Sequence, residues 1–128
     1  MKYTQKQIDK YNRQKYIAEL EKIAKNLFRM FRDPHTDAQN IATKLDQLKK
    51  KLDEKTEVQL DSEYHRQLKI YIQKVYEQIC ISEEFDDIRL GEIREAHMTQ
   101  LNRLQKLKNG VSYKKDKHKA ERHNQDWG

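Results

Sequence analysis

Apolar residues recur at intervals of three and four through most of this chain, the repeat of a helix with one buried face. The first run holds Ile8, Tyr11, Leu20, Ile23, Leu27 and Phe31, with Tyr16 near its gap. Ala24, Phe28 and Met30 widen the stripe toward its end. It predicts a helix from about Thr4 to Arg32. Asp33-Pro34 ends it, because the residue before a proline is pushed out of helical geometry. A second helix follows the loop Asp33-Pro34-His35-Thr36. Thr36 or Asp37 can cap it, since a short side-chain oxygen accepts from an unpaired amide of the first turn. Ile41, Leu45, Leu48 and Leu52 form a heptad-like seam under two heptads long. The seam fades in the polar stretch Asp53-Glu54-Lys55-Thr56-Glu57.

A third helix is expected from about Ser62 to Cys80, capped by Asp61 or Ser62. Its inner face is Tyr64, Leu68, Tyr71, Ile72, Val75, Ile79 and Cys80. A fourth should start at Ser82 as cap, with Glu83, Glu84, Asp86 and Asp87 in a first turn where the helix dipole favours negative charge. Ile88, Ile93, Leu101, Leu104 and Leu107 continue the apolar face, and Asn109-Gly110 is a C-terminal stop. Nothing at 80–83 compels a break, so one long kinked helix is an open alternative. Beyond Gly110 the apolar residues Val111, Tyr113, Ala120 and Trp127 are too sparse to build a face. The pattern therefore predicts an all-α fold: an elongated antiparallel bundle of three to four long helices over 1–110, then a mobile basic tail over 111–128.

Composition agrees with long, thin elements. The chain has 128 residues, enough for one domain, with 35% hydrophobic and 38% charged residues, three Gly and one Pro. Turns must be few. The net charge is +6, and its layout matters more than its sum. Residues 1–32 carry nine Lys/Arg against three Asp/Glu; residues 33–102 carry ten against fifteen; residues 103–128 carry eight against three. The ends are basic and the middle is acidic. Cys80 is the only cysteine, which rules out an internal disulfide and suits a reducing compartment. No stretch approaches the ~18 uninterrupted apolar residues of a membrane span. Met1–Lys10 lacks the apolar core of a signal peptide, so a cytoplasmic protein is expected.

The residues offer little for catalysis. There is no Gly-rich phosphate loop and no Glu-x-x-His pair of the kind that builds di-metal sites in bundles. His35, His65, His97, His118 and His123 lack partners at zinc spacing, so no metal and no cofactor is expected. Cys80 falls on an apolar face, where an inert thiol is the ordinary outcome. His97 lies on the stripe Leu90, Ile93, His97, Leu101, Leu104. The spacing favours a core-edge histidine over a titrating or ligand-facing group.

Two features point to binding. Tyr64 and Tyr71 are seven apart and share a face, and tyrosine suits an interface because it buries area around a wet hydroxyl. With the seam Ile41, Leu45, Leu48 and Leu52, they are candidates for a protein interface, and the narrow seam also suits a homodimer. Arg103, Lys106, Lys108, Lys114, Lys115, Lys117, Lys119 and Arg122 form a basic stretch able to neutralise phosphates of nucleic acid or another polyanion. A basic amphipathic first helix bearing Lys6, Lys10, Arg13, Lys22, Lys25 and Arg29 could lie on an anionic membrane, a reading ranked below the other two. The leading expectation is a non-enzymatic accessory protein whose helical body contacts a protein and whose basic tail contacts a polyanion. The competing expectation is a chaperone or adaptor that holds a partner helix on the Tyr-rich face, without nucleic acid.

Overall fold

The computed structural model describes residues 3–109, of which 79% are helical, with no strand among them. Four α-helices follow in order: α1 (Gln5–Arg32), α2 (Ala38–Asp53), α3 (Glu63–Tyr76) and α4 (Asp87–Lys108). A π-helical turn, Glu77–Ile81, extends α3. The expected all-α bundle is what the chain forms, and its helices end within the expected 1–110 body. The expected tail, 111–128, lies outside the described residues.

Local chemistry sets each helix start. The Thr4 hydroxyl accepts from the Gln7 amide, and the Gln7 side chain accepts in return from the Thr4 amide, a reciprocal capping box. Asp37 caps α2 by accepting from the Asn40 amide, and Ser62 caps α3 by accepting from the His65 amide. Asp33 ends α1 in extended geometry, as the following proline requires.

The helices run up, down, up, down. α1 and α3 run parallel and touch along the bundle diagonal, with Arg13 reaching Asp61 and Glu21 reaching His65. α2 packs on one flank of this pair and α4 on the other. Leu20, Ile23, Leu27 and Phe31 of α1 are fully buried, as are Ile41 and Leu45 of α2 and Leu68 and Val75 of α3. Leu90, Ile93, Leu101 and Leu104 bring α4 onto the same core.

At the upper corner, α4 holds the other helices by their backbone ends. The Arg94 guanidinium donates to the carbonyls of Phe31, Asp33 and Thr36, the end of α1 and the loop after it. Asp87 accepts from the Ala38 amide, a first-turn donor of α2 with no partner inside its own helix. The α1–α2 corner is thus capped from a helix much later in the chain.

Two expectations are corrected here. The fourth helix begins at Asp87 with Asp86 as its cap, not at Ser82, whose hydroxyl instead accepts from the Glu84 amide in the connecting turn. Glu83 and Glu84 therefore lie before the helix. Ile88 consequently points outward, 76% exposed, and the buried stripe is Leu90, Ile93, Leu101 and Leu104. The continuous α3–α4 helix is not formed. Residues 82–86 form a turn between the helices, and Phe85 packs against the core from it.

The seam Ile41, Leu45, Leu48 and Leu52 is packed inside this single chain. Replacing Leu45 and Leu48 together with Glu should therefore unfold the monomer, since two carboxylates would be buried without partners. Circular dichroism should lose its cooperative thermal transition. An unchanged melting temperature would show that the seam is not core.

Candidate binding surfaces

α4 meets α1 and α3 through a narrow stripe, and a groove opens on each side of it. The first, about 510 Å³, lies between α3 and α4 and is lined by Gln67, Ile70, Tyr71 and Lys74 on one wall and Ala96, His97 and Gln100 on the other. The second, about 740 Å³, lies between α1 and α4 over Tyr64 and Leu68 of α3. Ala18, Lys22, Ala24, Lys25 and Phe28 form its α1 wall. Leu101, Asn102, Gln105 and Lys108 form its α4 wall.

His97 closes the inner side of the first groove. Its ring stacks on Phe31 with centroids 4.7 Å apart and planes 2° from parallel. Its Nε2 lies 2.6 Å from the Gln78 Oε1 and its Nδ1 2.8 Å from the Tyr71 hydroxyl. The Gln78 oxygen can only accept, so Nε2 carries the proton and Nδ1 accepts from Tyr71. Burial pushes the imidazole down to about 4 and raises the Tyr71 hydroxyl. His97 is therefore a neutral hydrogen-bond connector at physiological pH. It makes two side-chain hydrogen bonds. Gln78 reaches it from the π-helical turn, while Ile79 stays in the core and the Cys80 thiol donates to the Ala42 carbonyl of α2. Burial, helped by Asp46, pushes that thiol up to about 11, so the inert reading of Cys80 fits its surroundings.

His65 is 0% exposed and its Nε2 lies 3.2 Å from the Glu21 carboxylate. A buried imidazole needs such a partner, and Glu21 supplies it from the α1 side of the second groove. No group of three or more metal-ligating side chains occurs among the described residues.

The sequence-predicted site residues divide sharply. Tyr64 and Tyr71 are only 4% and 7% exposed, and Ile41, Leu45, Leu48 and Leu52 are core. All six are packed against the chain's own helices, and of them only Tyr71 and Tyr64 also line a groove, the first and the second respectively. Arg103 and Lys106 stand exposed on the last turns of α4, and the Lys108 ammonium lies 5.9 Å from the Tyr64 ring centroid. Lys114, Lys115, Lys117, Lys119 and Arg122 lie outside the described residues. Antiparallel packing brings the end of α4 beside Ala18 and Lys22 of α1, so two basic stretches remote in sequence become neighbours. The stripe of α1 that a membrane would need is occupied by the core from Tyr16 onward; Tyr3, Ile8 and Tyr11 alone remain exposed along it. No helix among the described residues is long and apolar enough to cross a membrane. The second groove and the Arg94 and Asp87 contacts have no counterpart in the linear pattern, because each depends on residues far apart in sequence.

No known family model, curated protein or solved structure matches the chain.

The folded chain favours the neutral His97 ring, so its contribution is complete above the ordinary value of 6.5 and is lost as pH falls toward about 4. Melting temperature should drop across that window. His97→Gln, which can still donate and accept but does not titrate, should flatten the drop. An equally steep profile in the variant would remove His97 as its cause.

Proposed function

We propose that this chain is a non-enzymatic, cytoplasmic accessory protein that binds a polyanion, nucleic acid foremost, through the basic end where α1 begins and α4 finishes. The observation that carries this reading is that two basic segments share one end of the bundle: α4 finishes beside Ala18 of α1, and the turns of α1 that precede Ala18 project beyond it. Lys6, Lys10 and Lys15 are exposed on the first turns of α1, and Arg103 and Lys106 are exposed on the last turns of α4. Most of the acidic residues lie elsewhere in the chain or are engaged. Glu83, Glu84 and Asp86 belong to the α3–α4 connection at the opposite end, where Asp87 starts α4, and Asp61 is held 2.7 Å from Arg13. Like charges gathered on one end raise the local potential and attract a phosphate backbone more strongly than the net charge alone would. In sequence, residues 111–128 follow directly after this end of α4 and carry Lys114, Lys115, Lys117, Lys119 and Arg122.

Titration of the full chain against duplex DNA and single-stranded RNA at two salt concentrations tests this. Affinity should fall steeply with salt. Deleting 111–128 should leave the helix content intact, and the slope of log affinity against log salt should shrink by roughly 0.9 for each duplex phosphate that the shortened chain no longer neutralises. Arg103→Gln with Lys106→Gln should weaken binding further. Absence of binding at low salt would end the nucleic-acid reading and leave a protein adaptor in its place.

A further inference from the structure

We propose that the groove between α1 and α4 is a docking site for an acidic amphipathic helix of a partner protein. This is independent of the nucleic-acid reading, which rests on the exposed cations at the end of the bundle.

Shape is the first argument. The groove is bounded by two antiparallel helices and floored by a third. Its α1 wall runs from Ala18 to Phe28, about 15 Å at 1.5 Å per residue, or nearly three helical turns. A helix laid in such a trough presents one ridge of side chains at i, i+4 and i+7 to the floor. The small side chains of Ala18 and Ala24 leave room on that wall, and Ala24 and half-buried Phe28 offer apolar surface to the ridge.

Charge is the second. Lys22 and Lys25 stand on one wall and Lys108 on the other. At the upper mouth, the Arg32 guanidinium sits 5.5 Å from the Phe28 ring centroid. Among the described residues, Lys22, Lys25 and Arg32 meet no carboxylate. On the opposite flank Lys49 pairs with Asp53, Lys50 with Asp46 and Lys69 with Glu57. Glu21 is the one carboxylate among the groove's lining residues, and it is turned to the buried His65. A ligand that answers both floor and rim must carry an apolar ridge flanked by negative charge.

Those two demands together favour a helix over a nucleic acid. A phosphate backbone would answer the cations but leave the apolar wall uncovered. Its bases would need an open aromatic face, and Arg32 already lies over Phe28.

The probe is a synthetic helical peptide with Leu along one face and Glu on both flanks, fluorescently labelled and titrated against the full chain. Wild type should bind, more tightly at low salt. Lys22→Glu with Lys25→Glu should weaken binding by about tenfold or more, because two attractive rim contacts become repulsive. Ala18→Trp should obstruct one end of the groove and weaken binding. All three substitutions are at exposed positions, so helix content and melting temperature should hold, and the two variants check one another. A peptide of the same face with Lys flanks should not bind. Failure of the Glu-flanked peptide to bind wild type, or equal binding to wild type and both variants, overturns the proposal. So does loss of DNA or RNA binding in Ala18→Trp, which would make the groove a nucleic-acid site. Arg103→Gln with Lys106→Gln should leave peptide binding unchanged, which separates failure here from failure of the polyanion reading.

Discussion

Every other helix of this protein is organised around the buried stripe of α1. Leu20, Ile23, Leu27 and Phe31 are fully enclosed, and α2, α3 and α4 each pack against the helix that carries them. Such a stripe gathers apolar area from three neighbours at once, which is how a chain with 35% hydrophobic residues closes a core. The diagonal contact of α1 with α3 follows from it. With those two helices in the centre, α2 and α4 can each cover only one flank, and α4 leaves a groove on either side of its narrow seam.

Polar contacts fix what the stripe leaves free. Apolar packing tolerates sliding of one helix along another, whereas the Arg94 fork on the carbonyls of Phe31, Asp33 and Thr36 does not. Asp87 adds a second tie, to the first turn of α2. Between them and the end of α4, His97 lies flat on Phe31 and takes part in hydrogen bonds in two directions. These contacts set the register of α4, and hence where its terminal cations fall beside α1. The basic end and the lysine-rimmed groove are therefore consequences of how α4 is seated.

The helices are legible in the sequence, and their use is not. Periodicity and Asp33-Pro34 locate α1 almost to the residue, and Asp37 and Ser62 are readable as caps because a cap needs only its own next three residues. The start of α4 is ambiguous because Ser82 and Asp86 are equally good caps in isolation. Phe85, which stands between them, packs against the core, and that packing is a tertiary matter. Tyr64 and Tyr71 carry the same ambiguity. Their spacing establishes a shared face but not whether that face meets the chain's own helices or a partner. Arg94 reads as one more surface charge on α4, since its acceptors lie about sixty residues earlier. The α1–α4 groove is invisible for the same reason: Lys22 and Lys108 are neighbours only after folding.

One face of α1 thus forms the core while its first turns stand clear of it. Amide hydrogen exchange, followed residue by residue in the full chain, tests that division directly, because protection tracks how much of the fold must open to expose each amide. The strongest protection is expected along α1 from Tyr16 to Phe31 and along α3, with fast exchange from Gln5 to about Lys15. Uniform protection along all of α1, or slower exchange in α4 than in α1, would contradict this account of the fold.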